Sequence, residues 1–139
     1  MNNNPRPSVW MLLAGGAVVF LSTFINWFGS GSYGFSAWET EYFGFIGIFV
    51  AVMGLATAIT VGLTTFAGTA LPANIAGFTW NQIYLSFAFT CTVITLGFLF
   101  AGQVKFGLIL ALLGSAVMLA GAFMESQTTA KPSGPPTAF

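Results

Sequence analysis

The sequence lacks histidine, has a single cysteine and carries very little charge. Without histidine, and with Cys91 as its only thiol, one chain has neither the ligands of a zinc site nor the partner for a disulfide. It also lacks a nucleophile with an activating base and a pair of carboxylates, which are common means of catalysis. We therefore expect a non-enzymatic protein with no metal and no cofactor.

Charge is scarce in both signs. Three basic and three acidic side chains give a formal net charge of zero. No basic stretch is present to neutralise a row of phosphates, so nucleic-acid binding has no electrostatic basis. Charged residues make up 4% of the chain and hydrophobic residues 56%, whereas about a quarter of the residues in soluble domains are charged. The charges border long apolar runs, which is the pattern of an integral membrane protein.

Four apolar segments reach the length of about 20 residues that spans the hydrocarbon of a bilayer. They predict an all-α fold, a bundle of four transmembrane helices forming a single domain over residues 1–139. The helices are expected at about residues 9–28, 37–66, 80–101 and 106–124, followed by a disordered tail at about 126–139. A cleaved signal peptide is the alternative for the first segment, which is longer than a typical signal sequence.

Capping boxes predict where the second and third helices begin. Ser36 with Glu39, and Thr79 with Gln82, each place a hydroxyl at the N-cap and a carboxylate or amide three residues later. The turn at residues 102–105 is so short that the third and fourth helices are expected to form an antiparallel hairpin. Tryptophan and tyrosine at the expected helix ends suit a bilayer interface.

Four spans place both termini on the same side of the membrane. Arg6 and Lys131 then lie on that side and Lys105 on the other. The excess of positive charge favours termini in the cytoplasm.

Small residues recur at every fourth position in two spans. Such stripes let helix backbones approach closely where lipid gives no hydrophobic drive for association. They are expected to serve either the packing of the four helices or a seam with another subunit, and the oligomeric state of a Gly62→Leu variant separates the two. The stripe residues, on the second and fourth helices, are Gly54, Ala58, Gly62, Gly107, Ala111 and Ser115.

The segment between the first and second spans combines aromatic side chains with two acids. It is interpreted either as an interfacial belt with a helix cap or as a docking surface at the membrane face. The two acids are two positions apart on the expected helix and point in different directions, so they do not form a paired site. The residues of this candidate docking surface are Tyr33, Phe35, Trp38, Glu39 and Glu41.

The polar residues within the expected spans bear on whether the protein could be a transporter or a pore. A proton-coupled transporter normally carries an acid or base within the membrane. None is expected there, because Glu39 and Glu41 belong to an interfacial start of the second helix, whose span from residue 42 onward is free of charge. Small multidrug transporters also have four helices, but they depend on a glutamate in the first, which is absent here. A neutral pore of several copies is still open, because hydroxyls of the third span would line it: Ser86, Thr90, Thr92 and Thr95.

Three motifs occur in a recognisable order. An Asn-Trp-Phe-Gly sequence at residues 26–29 ends the first span, Ser-Ala-Trp-Glu at 36–39 opens the second, and Lys-Phe-Gly at 105–107 opens a glycine-rich last helix before a proline-rich tail. This layout resembles a group of small four-span membrane proteins of actinobacteria. Asn26 stands where that group usually has proline, and Glu-Tyr-Phe at 41–43 replaces a more aliphatic continuation. The resemblance implies a bacterial cytoplasmic membrane and supplies no active-site residues.

The expected function is that of an accessory or scaffold subunit of a larger membrane complex. The alternative is a self-associating pore of the holin-like kind. Expected partners are membrane lipid together with other membrane protein subunits or further copies of the chain. Sixteen phenylalanines would suit contacts with carotenoids or quinones, but plain lipid tails account for them equally well and are the preferred interpretation.

Overall fold

The computed structural model describes residues 6–30, 32–39, 41, 45–72 and 75–130. Within these residues the chain is mostly helical, and its four helices are α1 (Pro7–Ser22), α2 (Ile46–Phe66), α3 (Trp80–Leu99) and α4 (Phe106–Ala130). Two short strands, β1 (Asn26–Ser30) and β2 (Tyr33–Ser36), lie between α1 and α2. Three helices are long and apolar enough to cross a membrane: α2, α3 and residues Phe106–Gln127 of α4.

Helix α1 is shorter than the sequence predicts. It begins at Pro7, a position where the missing N–H of proline costs nothing. It ends at Ser22, and the next three N–H groups bond to carbonyls three residues earlier, which makes one tighter turn up to Ile25. The indole N–H of Trp27 then donates to the Ser22 carbonyl at 3.0 Å, satisfying one of the carbonyls left open at a helix end. The prediction of helix up to residue 28 is therefore wrong.

Strands β1 and β2 form an antiparallel pair in which Phe28 lies opposite Phe35. The connection between α3 and α4 joins the other edge of β1. There the N–H of Lys105 donates to the Trp27 carbonyl at 2.7 Å, and Phe28 bridges to Val104. The rings of Trp27 and Phe28 meet the Phe98 ring of α3 edge-on at centroid distances of 6.0 and 5.9 Å. The two connections thus form one small sheet over one end of the helices.

The expected capping box at Ser36 is not formed. Ser36 ends β2, residues 37 and 38 form a turn, and the N–H of Glu39 bonds to the backbone carbonyl of Ser36. Helix α2 starts only at Ile46, and its N-cap, Phe45, supplies no side-chain hydrogen bond. The prediction of a helix from residue 37 is therefore wrong. Residues 40 and 42–44 lie outside the described residues.

The second capping box is confirmed. The N–H of Gln82 donates to the Thr79 hydroxyl at 3.3 Å, and the N–H of Thr79 donates to the Gln82 side-chain oxygen at 2.9 Å. Helix α4 starts at Phe106 as predicted and continues to Ala130, six residues further than expected. Residues 126–130, assigned to the tail from the sequence, are therefore helical, and residues 131–139 lie outside the described part of the chain.

Glycines let α1 lie directly against two neighbouring helices. A Cβ on Gly16 would be 2.7 Å from the Gly54 carbonyl oxygen of α2, and a Cβ on Gly15 would be 2.7 Å from the Gly114 carbonyl oxygen of α4. Helix α3 packs against α4 and, over a smaller contact, against α2. The largest fully buried side chain among the described residues is Trp27, which lies beneath the small sheet at one end of the helices, called the terminal sheet below. The described interior is therefore closed by direct backbone contacts between helices.

Candidate functional site

The most polar cluster lies where the beginning of α1 meets the last turns of α4. The Glu125 side chain is only 8% exposed, whereas that of Arg6 is 59% exposed. Arg6 donates from Nε to one carboxylate oxygen at 2.9 Å and from Nη2 to the other at 2.7 Å. The Ser8 hydroxyl donates to the same carboxylate. A bidentate arginine and a hydroxyl together offset the desolvation of the buried carboxylate.

Sequence reasoning missed this cluster because it placed Glu125 after the last helix. Helix α4 continues past it, and the apolar stretch long enough to cross a membrane includes it. The premise that no span carries an acid, which counted against proton-coupled transport, is therefore wrong for α4. One signal was present in the sequence: Arg6 and Glu125 border the first and last apolar runs on the same side, where opposite charges are expected to meet.

A cavity of about 260 Å³ lies beside the ion pair, and all four helices contribute to its wall. Seven of its lining side chains carry polar groups: Arg6, Thr64, Thr65, Trp80, Asn81, Tyr84 and Glu125. Apolar side chains of α1, α2 and the connection after α2 complete the wall. The cavity thus combines both signs of charge with uncharged polar groups.

Hydrogen bonds fix the direction in which two of the cavity hydroxyls point. The Thr60 hydroxyl donates to the Ala56 carbonyl at 2.7 Å, so it accepts from the Tyr84 hydroxyl at 3.0 Å. The Thr64 hydroxyl donates to the Thr60 carbonyl at 3.0 Å. Two of the three lining hydroxyls, on Tyr84 and Thr64, therefore donate their hydrogens within the protein and offer the cavity acceptor lone pairs.

The stripes of small residues lie at contacts within the chain. Gly54 meets Gly16 of α1, and Gly107 lies under the carbonyls of residues 25 and 26. Ala111 and Ser115 are fully buried, and the Ser115 hydroxyl lies 3.3 Å from that of Thr95 on α3. A Cβ on Gly16 would also come within 3.1 Å of the N atom of residue 58. The remaining stripe residue, Gly62, has the loosest surroundings, since a Cβ built on it would lie 3.7 Å from the nearest side-chain atom.

The residues of the candidate docking surface do not share one environment. The indole N–H of Trp38 donates to the Thr23 hydroxyl at 3.1 Å, and its ring stacks on Phe24 with centroids 5.4 Å apart. Trp38 thereby attaches the segment after β2 to the end of α1. Phe35 is half-buried in the terminal sheet. The other four members of the surface are exposed, including Trp38 itself: Tyr33, Trp38, Glu39 and Glu41.

The outer face of α3 carries a stripe of polar and small residues that points away from the other helices. Gln82, Ser86, Thr90 and Gly97 are exposed and share one helix face. Within the part of the chain that the structure describes, the hydroxyls of Ser86 and Thr90 have no hydrogen-bond partner. The two other threonine hydroxyls of this helix, at positions 92 and 95, donate to carbonyls four residues earlier at 2.8 Å. Position 95 is fully buried, so it faces the interior and not the outer face of the helix.

Among the described residues, no three histidine, cysteine or acidic side chains lie together as metal ligands would. Comparison with models of protein families, with curated proteins and with solved structures finds no match to the chain.

Proposed function

We propose that the protein is a non-enzymatic integral membrane protein that crosses the bilayer four times and acts as an accessory or scaffold subunit of a larger membrane assembly. Length supports the fourth span. The 16 residues of α1 rise by about 24 Å, and the tight turn up to Ile25 adds about 6 Å. The sum approaches the hydrocarbon thickness of about 30 Å, and residues 7–25 carry no charge.

The outer face of α3 is the observation that carries the proposed role. Lipid tails offer neither donors nor acceptors, so the hydroxyls of Ser86 and Thr90 would gain a hydrogen-bond partner on this face from another polypeptide. A Cβ on Gly97, on the same face, would meet no atom within 4 Å, which leaves room for a neighbouring helix. Because the interior is already closed, a partner of this chain binds from outside.

Co-purification from the native membrane in mild detergent tests this role. We expect a tagged copy to recover a reproducible set of larger membrane proteins that an untagged control lacks. A Ser86→Leu/Thr90→Leu variant removes the polar groups of the outer face and is expected to lose that set. The matched control is Val52→Leu, an exposed position on α2. Recovery of the tagged chain alone would contradict the proposal.

A pore made of several copies is the second candidate, and the same stripe favours it. Outward-facing hydroxyls at Ser86 and Thr90 would line a lumen between copies, as in a holin-like channel. Conductance of liposomes that contain the purified protein separates this candidate from the first. A homo-oligomer with conductance would favour the pore, and current no greater than that of empty liposomes would reject it.

The proposed location is a bacterial cytoplasmic membrane with both termini in the cytoplasm. The contact of Arg6 with Glu125 supports a common side for the two ends of the chain. The test uses single cysteines in a Cys91→Ala background and a membrane-impermeant thiol reagent on intact cells. Gln103→Cys, in the connection at the sheet end, is expected to react, and Thr69→Cys, at the ion-pair end, to stay protected. The reverse labelling pattern would show that both termini lie outside the cytoplasm.

A further inference from the structure

The cavity beside the ion pair lies at the depth of lipid headgroups in the proposed orientation. Trp80 lines it at the first position of α3, and the Trp10 ring contacts Phe66, the last residue of α2, at a centroid distance of 5.4 Å. Tryptophan prefers the boundary between hydrocarbon and headgroups. A molecule that enters this cavity from the membrane therefore does so with its polar end.

Two of the three hydroxyls that line the cavity favour a ligand that donates hydrogen bonds. Tyr84 and Thr64 offer only acceptor lone pairs, because their own hydrogens are bonded to Thr60. The carboxylate of Glu125 adds a buried negative charge to the same wall. Acceptors and a carboxylate together suit a small cation with several N–H groups, which is the character of a primary ammonium.

The mouth of the cavity has the opposite character. Arg6 binds Glu125 through Nε and Nη2. Its Nη1 group makes no hydrogen bond within the described residues, and more than half of the side chain is exposed. A guanidinium held on one edge by a carboxylate keeps its outer N–H groups aimed away from that carboxylate, where they suit an oxygen of a phosphate.

We propose that this cavity binds the headgroup of a phospholipid whose amine is primary, namely phosphoethanolamine. The ammonium enters the cavity towards Thr64, Tyr84 and Glu125, and the phosphate lies at the mouth beside Arg6. The volume of about 260 Å³ falls just below the range of about 300–1,000 Å³ of drug-sized sites. It therefore suits a headgroup alone, with the acyl chains outside the bundle. This site does not depend on the accessory role.

Native mass spectrometry of the purified full chain in detergent tests the proposal. The probes are phosphatidylethanolamine, phosphatidylcholine and phosphatidylglycerol with identical acyl chains. Phosphatidylethanolamine is expected to bind about tenfold more tightly than phosphatidylcholine, because a trimethylammonium group cannot donate hydrogen bonds to the acceptors. Phosphatidylglycerol, which supplies only the phosphate, is expected to bind more weakly than phosphatidylethanolamine.

Two conservative variants remove acceptors while keeping shape. Thr64→Val and Tyr84→Phe are each expected to reduce the preference for phosphatidylethanolamine over phosphatidylcholine, and the double variant to abolish it. The matched control is Thr92→Val, which removes a back-bonded hydroxyl of α3 that does not line the cavity. Its lipid preference is expected to equal that of the unmodified chain.

Four results would overturn the assignment. Equal binding of phosphatidylethanolamine and phosphatidylcholine would show that the ammonium is not recognised. Tightest binding of phosphatidylglycerol would show that Arg6 acts alone on anionic lipid. Displacement of the bound lipid by soluble glycerophosphoethanolamine at equal concentration would assign the site to a free metabolite. An unchanged preference in the double variant would likewise place the ammonium elsewhere.

Discussion

The two partners of the Arg6–Glu125 pair differ in exposure, so their removal has unequal consequences for stability. Arg6→Gln leaves the carboxylate of Glu125, only 8% exposed, without its counter-ion. Loss of one partner from a fully buried pair costs about 3–5 kcal/mol. Because the arginine is 59% exposed and solvent screens part of its interaction, we expect a loss of about 2–3 kcal/mol.

Glu125→Gln leaves the charge on the other partner, where water reaches it. The amide still accepts the Ser8 hydroxyl, so the expected loss is about 1 kcal/mol. In the double variant Arg6→Gln/Glu125→Gln no charge remains buried, and the expected loss stays near about 1 kcal/mol. The second substitution therefore restores most of the stability lost by Arg6→Gln alone.

Unfolding in mixed micelles measures these differences. The protein is titrated from a mild detergent into a denaturing one and followed by the fluorescence of its four tryptophans and by far-ultraviolet circular dichroism. Glu41→Gln, which removes an exposed carboxylate, is the control and is expected to change the midpoint little. The reasoning is refuted if Glu125→Gln destabilises as much as Arg6→Gln, or if the double variant loses the sum of both.

The remaining predictions use the same micelle system. Gly16→Ala puts a Cβ 2.7 Å from the Gly54 carbonyl oxygen and should cost about 1–3 kcal/mol, whereas Gly97→Ala, which meets open space, should be neutral or stabilise by up to about 1 kcal/mol. Equal unfolding midpoints for the two would contradict the packing of α1 on α2. Trp27→Phe should cost at least about 1 kcal/mol, because it removes the indole bond to the end of α1. A maleimide should label Cys91 only after unfolding, since its side chain is fully buried. Rapid labelling of the folded chain would show that the face of α3 that carries Cys91 does not point into the bundle.

Local signals were sufficient wherever an element depends on neighbours in the chain. The start of α3 follows from Thr79 and Gln82, three residues apart, and the start of α4 follows from a short turn before an uninterrupted apolar run. That three helices are apolar enough to cross a membrane follows from composition, because a charge in hydrocarbon is costly at any position. None of these inferences requires knowledge of which helix meets which.

Long-range contacts decided the remainder of the fold. Residues 26–28 are apolar enough to extend α1, yet Trp27 leaves the helix because its backbone pairs with the connection before α4 and its ring is buried there. The expected capping box at Ser36 and Glu39 likewise yields to pairing of β2 with β1. Local sequence carries no record of such partners, which are brought together only when the helices pack.

What the sequence by itself determined is that this chain consists of apolar helices, and which residues share a face of each helix. Only the tertiary structure decided which face turns inward. Spans that are apolar on every side carry little amphipathic signal, because lipid and protein interior are equally apolar. The cavity wall and the outer stripe on α3 therefore became visible only with packing. The same holds for the pair of Arg6 and Glu125, 119 positions apart in the chain, because their meeting depends on α1 lying against α4.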